Sequence, residues 1–235
     1  GGGGNIGRHT AYRLAEDGVM VVVCDINQET AREVAADIGG RGGEAAAYAV
    51  DVQNPADVNR VVSDVIERFG KVDILVHSAG GSARSLMRNL TEQTDEVIQN
   101  IIGVNLMGGI YFARAAAQNM VLHKSGRIIF VASIVATNGN KGCVEYGASK
   151  GGLIGMAKSL AIELGKDQIT VNCVSPGLVQ RDDKDVSNTN YLGRNGTAAE
   201  VAGLIGYLTT DEASFITGQN YVIDGGRSLG LKGSY

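Results

Sequence analysis

The stretch GGGGNIGRHTAYRLAEDGVMVVVCD, residues 1–25, decides how the rest of the chain is read. Its four opening glycines fit either a flexible linker or a phosphate-binding loop without the strand that normally precedes it. A linker keeps no fixed distance to anything downstream. A phosphate loop opens a helix whose N-terminal N–H groups face a pyrophosphate, and that helix returns into a buried strand ending in an acid about 20 positions on. Residues 6–17 can form that helix, with Ile6, Leu14 and Ala15 facing inward and Gly18 as the stop. VMVVVC, residues 19–24, is a short β-branched run of the kind buried on both faces of a parallel sheet, and it ends on Asp25. Strand, helix and acid arrive together, which favours the loop and implies that the first strand is missing from the sequence.

The bulk properties narrow the classes. A chain of 235 residues is long enough for one large core, and one domain is expected over 1–235. With 25 acidic and 21 basic residues well mixed and a net charge of -4, there is no electrostatic footprint for nucleic acid or an anionic membrane. Cys24, Cys143 and Cys173 are odd in number and widely spaced, which suits buried thiols in a reducing compartment better than disulfides or metal ligands. No apolar run approaches the ~18 residues of a membrane span. The expected location is cytoplasmic, and no metal is expected.

Thirty-four glycines and two prolines suit many tight strand-to-helix turns. After Asp25 the pattern predicts helices near 28–38, 55–69, 92–119, 146–164 and 198–209. Strands are predicted near 44–50, 72–77, 127–132, 170–174 and 221–223. Regular alternation of this kind means a parallel, doubly wound α/β sheet with helices on both faces.

Within this frame a set of residues resembles, over nearly the whole chain, the short-chain dehydrogenase/reductase family. Gly1 and Gly7 match the outer glycines of the family's cofactor loop, with Gly4 and Ile6 between them. Asn5 replaces the middle glycine, and its tolerance of left-handed backbone is expected to accommodate the change. Asp51-Val52 matches the pair that flanks the adenine, and His77-Ser78-Ala79-Gly80 stands where Asn-Asn-Ala-Gly is usual. Asn105 in VNLMG, Ser133 closing GRIIFVAS, and Tyr146 with Lys150 in YGASK match the four catalytic positions in order. Pro176-Gly177 resembles the turn beside the nicotinamide, with Leu178 and Val179 near the carboxamide, and Asp224-Gly225-Gly226 resembles the C-terminal signature. Gln180-Arg181 stands where a Thr is frequent.

The chemistry of these residue types is coherent. Four residues advance a helix by about 400° and ~6 Å, so Tyr146 and Lys150 share a face. A phenol with pKa near 10 needs roughly 4 kcal/mol of preference for its anion to work near neutrality. One ammonium at ~4 Å supplies about that much at an effective dielectric near 20. Tyr146 is therefore the expected general acid/base, Ser133 the residue that orients the substrate oxygen, and Lys150 the holder of the nicotinamide ribose. Asn105 is expected to anchor a water relay through its side chain or a local helix irregularity. The plainer readings are that Ser133 caps a strand end, that Asn105 bonds its own backbone, and that His77 is a satisfied structural histidine rather than a base. Arg84 and Lys141 are solvated or touch an anionic group of the substrate.

The resemblance implies an oxidoreductase moving hydride between a nicotinamide cofactor and a secondary alcohol or ketone, with a 3-oxoacyl-thioester reductase as the alternative. A nucleotide-binding scaffold without catalysis is a second class. Asp25 and the apolar Ile26 after it favour NAD over NADP, because the carboxylate can accept both ribose hydroxyls and repels a 2′-phosphate; Arg8 is the one cation nearby in sequence. A homotetramer is expected, since the helices around 101–120 and 151–164 are apolar over more than one face. The segment 178–192 is polar in its middle and is expected to be an incomplete lid, with residues omitted between Val179 and Val186.

Overall fold

The computed structural model describes residues 1–81, 84–180 and 189–230. A glycine-rich turn leads into α1 (Asn5–Glu16), followed by β1 (Val21–Asp25), α2 (Gln28–Gly40), β2 (Ala45–Ala49), α3 (Pro55–Phe69) and β3 (Ile74–His77). The second half contains α4 (Asp95–Ile102), α5 (Gly108–His123), β4 (Gly126–Val131), the single-turn α6 (Val135–Asn138), α7 (Val144–Leu164), β5 (Ile169–Pro176), α8 (Ala198–Thr209) and β6 (Asn220–Ile223). Every pairing is parallel, as the strand-helix alternation requires. This is a doubly wound α/β Rossmann fold.

Side chains of β4 show how the two faces are covered. Ile128 and Phe130 pack with Ala116 of α5 and Leu153 of α7, while Ile129 and Val131 pack with Val201 and Ile205 of α8. The period of two thus sends alternate residues to opposite helical layers. In β1, likewise, Val21 and Val23 meet α1 and α2, and Val22 and Cys24 meet the α3 side. The sequence marks several helix starts with side chains: Asn27 and Asn54 each accept two backbone N–H groups at the entries of α2 and α3, and Thr197 with Glu200 forms a capping box on α8.

Two features depart from the sequence expectation. The helix foreseen over 92–119 is broken: α4 and α5 are joined by a π-helical turn, Gly103–Met107, that contains Asn105. Such a turn carries an extra residue whose carbonyl is displaced from the helical ladder. The sheet is also in two pieces, β2-β1 and β3-β4-β5-β6, with no pairing between β1 and β3. Between their facing edges lies a cavity of about 520 Å³, walled by Leu14 of α1, Val62 and Val65 of α3 and Phe112 of α5. The chain enters at its end: the N–H groups of Gly1 and Gly2 both donate to the Cys24 carbonyl, at 3.0 and 2.8 Å.

Candidate active site

The carboxyl ends of β3, β4 and β5 converge with the glycine turn before α1 on a cleft of about 790 Å³, the usual ligand crevice of an open parallel sheet. Its floor begins with the glycine turn, whose side chains are absent for steric reasons. A Cβ on Gly1 would collide with the backbone of Ala79, and one on Gly7 would collide with the Gly1 carbonyl and stand 2.9 Å from Ser78 Oγ. The hydroxyl of Ser78 donates to the Gly1 carbonyl at 3.3 Å, tying the loop to the end of β3. Gly4 is the N-cap of α1 and offers no side-chain acceptor, and the first turn contains no acid. The leading N–H groups of α1 are thus unsatisfied donors at the positive end of a helix dipole, which suits an anion. These features fit the pyrophosphate of a dinucleotide. Asn5 does not take left-handed backbone: positive φ among the described non-glycine residues occurs at Lys124 and Gln168. It is the first helical residue, where a side chain is tolerated, and its Nδ2 donates to the Gln180 carbonyl at 2.8 Å.

At the end of β1, the Asp25 carboxylate accepts the N–H of Gly3 at 3.0 Å and that of Asn27 at 3.0 Å. Burial raises its pKa, but the Asn27 N–H, the amino terminus and the Gly3 N–H together outweigh that and hold it below the usual carboxylate range. Ile26 beside it is 74% exposed. The Val50 N–H donates to the Asp25 carbonyl at 2.9 Å, which brings Asp51 and Val52 to the same end of the sheet. These four residues lie beyond the cleft lining, and Val52 is buried near Gly108. Ser78 and Gly80 line the cleft, whereas Ala79 is packed in the core behind them.

The wall that carries the candidate catalytic residues is built by β4, α6 and α7. Ser133, Tyr146 and Lys150 all line the cleft, alongside Pro176, Gly177 and Val179 from the loop after β5. Ser133 Oγ accepts the Val135 N–H at 3.2 Å just ahead of α6, so its O–H proton remains to donate to a ligand. Lys150 is 3% exposed. Its Nζ donates to the Val131 carbonyl at 2.7 Å and stands 5.8 Å from the centre of the Tyr146 ring. Burial brings its pKa down from 10.5 to about 8.

Asn105 is buried in the helix irregularity that was one of its expected settings, and its Nδ2 bonds its own helix backbone as the plainer reading has it. Its side chain is fully engaged, with Oδ1 accepting the Gly81 N–H and Nδ2 donating to the carbonyls of Gly81 and Ile101. It fastens the loop after β3 to the π-helical turn and does not line the cleft. Its backbone carbonyl accepts from His77 Nε2 at 3.3 Å. His77 is buried, packs edge-on to Phe130, and has its pKa brought down to about 3, chiefly by burial and then by the Lys150 charge. It is therefore a neutral structural residue and no acid/base. Lys141 is exposed, and the side chain of Arg84 falls outside the described residues, as do Arg181 and most of the expected lid.

Sequence reasoning missed a part of the cleft: Met87, Asn138, Cys143 and Arg227 also line it. Asn138 follows Ser133 by one short helix and Arg227 follows the Asp-Gly-Gly signature directly, so chain position was the available signal.

A family model described as enoyl-(acyl carrier protein) reductase, a division of the short-chain dehydrogenase/reductases, matches residues 3–228. The chain is a short-chain dehydrogenase/reductase. This dehydrogenase/reductase is 36% identical to the (2S)-[(R)-hydroxy(phenyl)methyl]succinyl-CoA dehydrogenase subunit BbsD of Thauera aromatica, covering 97% of the chain and 94% of the relative. It is 37% identical to a 3-oxoacyl-(acyl-carrier-protein) reductase of Synechocystis, with 94% and 92% covered, and 35% identical to the one of Escherichia coli, with the same coverage. Membership makes it an oxidoreductase that binds a nicotinamide cofactor. No helix among the described residues is long and apolar enough to cross a membrane.

The buried lysine of this dehydrogenase/reductase sets a pH limit. With its pKa brought down to about 8, Lys150 carries its proton below about pH 8 and loses it above, so if its charge supports Tyr146 in the reductive direction, turnover is expected to decline from about pH 8 upward. In Lys150→Arg, whose guanidinium stays charged, the alkaline limb moves to higher pH. Rate profiles from pH 6 to 10 read both, and an alkaline limb at the same pH in the two proteins would count against Lys150 as its source.

Proposed function

We propose that this protein interconverts 3-oxoacyl and 3-hydroxyacyl thioesters with NAD. The observation that carries the reading is the convergence of Ser133, Tyr146 and Lys150 on one cleft beside an uncapped, glycine-lined helix N-terminus. It is supported by relatives named as 3-oxoacyl-(acyl-carrier-protein) reductases and as a hydroxy(phenyl)methylsuccinyl-CoA dehydrogenase subunit, aligned over nearly their full length. When bound, the nicotinamide supplies or accepts the hydride. Ser133 donates its hydroxyl proton in a hydrogen bond to the substrate oxygen and fixes its position. Tyr146 passes its phenolic proton to that oxygen during reduction and takes it back during oxidation. Lys150 lowers the cost of the phenolate by its charge and holds the ribose of the cofactor. Asn105 and His77 keep the π-helical turn and the loop after β3 in place.

The choice of NAD rests on Asp25, whose carboxylate is aimed by two backbone N–H groups and would repel a 2′-phosphate. Arg8 is engaged elsewhere, 3.6 Å from Glu33. For the assembled state we propose a homotetramer working in the cytoplasm. Phe215, Ile162 and Leu122 are 102%, 86% and 80% exposed, and a self-complementary contact would cover such side chains. Sedimentation as a monomer at micromolar concentration would refute the assembly.

Tyr146→Phe separates an enzyme from a nucleotide-binding scaffold. With 3-oxobutyryl-CoA as substrate, turnover is expected to fall by about 10²–10⁴ while cofactor affinity stays within about threefold, read by stopped assays and fluorescence titration. A wild-type protein that binds cofactor and turns over no thioester would sink the catalytic reading. For the cofactor, kcat/KM is expected to favour NAD at least tenfold, and Asp25→Ala is expected to narrow the gap. A lower KM for NADP in the wild type would overturn it.

A further inference from the structure

We infer that Arg227 is the receptor for a free carboxylate carried on the acyl part of the substrate. Its place is in the catalytic cleft itself. Among the described residues that line the cleft, the charged side chains are Lys150 and Arg227, and neither Asp nor Glu is present. A low-dielectric cleft lined by one sign of charge concentrates ligands of the other sign. Lys150 is committed, with Nζ on the Val131 carbonyl next to Tyr146. Arg227 has no carboxylate within ion-pair distance among the described residues.

The residue is also held as a receptor would be. Asp224 organises its turn by accepting the N–H of Gly226 at 2.8 Å and of Ser228 at 2.7 Å, and its carbonyl accepts the Arg227 N–H at 3.3 Å. Asn138, itself on the cleft wall, reaches over to the Ser228 carbonyl at 3.5 Å. Among the described residues the guanidinium is steadied by one bond, Nη1 to the Thr189 carbonyl at 3.2 Å, and the rest of its fork of donors has no partner there. Gly177 packs so closely on Asp224 that a Cβ there would stand 2.7 Å from the Asp224 Cβ, so this turn is fixed to the loop after β5. A planar fork that is ordered before binding suits a carboxylate, which it can take through two parallel bonds. The phosphates of a coenzyme A thioester sit at the far end of the pantetheine arm, whereas Arg227 shares the cleft with the residues that must touch the reacting carbonyl. A carboxylate on the acyl group is accordingly the assigned ligand.

The substrate class rests on the thioester reading, but binding can be tested without turnover. Adipate, adipamide and coenzyme A would be titrated calorimetrically into the NAD-loaded wild type, Arg227→Gln and Arg227→Lys. Adipate is expected to bind the wild type at least tenfold more tightly than R227Q, with R227K between them because it keeps the charge and loses the fork; adipamide should not discriminate. Separately, the ratio of kcat/KM for 3-oxoadipyl-CoA over 3-oxohexanoyl-CoA is expected to fall at least tenfold in R227Q. Adipate binding that is equal in all three proteins overturns the inference, and so does a loss confined to coenzyme A, which would make a phosphate the ligand. If adipate binds through Arg227 but neither thioester is turned over, the receptor stands and the thioester reading falls. Should R227Q fail to fold, an R227K protein binding adipate as tightly as the wild type is the overturning result.

Discussion

The site depends on how closely the backbone at Gly1 can approach the ends of two strands. Gly1 lies against Ala79 after β3 and reaches the Cys24 carbonyl in β1, and Gly7 lies against Gly1 in turn. A methyl group at either glycine would wedge this contact open. Without that approach, α1 could not aim its unsatisfied N–H groups along the carboxyl ends of the strands, and the anion-binding end of the helix would miss the cleft. The pairing of β1 with β2, continued by the Val50 N–H on the Asp25 carbonyl, sets Asp25 and Asp51 one strand apart at the same end of the sheet, beyond the cleft lining.

A second constraint is the burial of Lys150. An ammonium inside a protein is costly, and here one carbonyl bond at 2.7 Å offsets part of that cost. The remainder appears as a pKa brought down to about 8. His77 beside it stays neutral chiefly because it too is buried, and secondarily because its charge would face that of Lys150. A neutral histidine with its Nε2 proton can then donate to the carbonyl that the π-helical turn displaces at Asn105. The altered strand end and the helix irregularity are thus parts of one arrangement.

Division of the sheet between β1 and β3 follows from the same accounting of edges. Each strand has a full partner on one side, and the facing sides border an apolar cavity. The two pieces are nevertheless held together by helices that cross the gap, with α1 packed on β1 and with Ile6 in the cluster of β4 and α8. Packing on the faces keeps the strands parallel where hydrogen bonding between them is lacking.

Much of this was legible in the chain because it rests on local periodicity. Alternating β-branched strands and helices with Asn or Thr caps determined a doubly wound sheet, and the four-residue spacing of Tyr146 and Lys150 determined that their side chains share a face. The order of Gly7, Ser133 and Tyr146 placed the cofactor loop and the catalytic wall at the same ends of the strands. Asn105 was found by its position, and its bond to the Ile101 carbonyl four residues back is the local kind that a mid-helix Asn makes; its bonds to Gly81 join segments 24 residues apart, which no local pattern encodes. The charge state of His77 likewise needed its burial, since the residue type alone allows either form. For Arg227 the sequence offered only its place directly after the Asp-Gly-Gly signature; the turn at Asp224 is what sets it in the cleft with Tyr146. The sequence by itself determined elements and their order, because these follow from residues a few positions apart; only the tertiary structure decided which polar groups meet, because those contacts join segments distant along the chain and depend on the water that packing excludes.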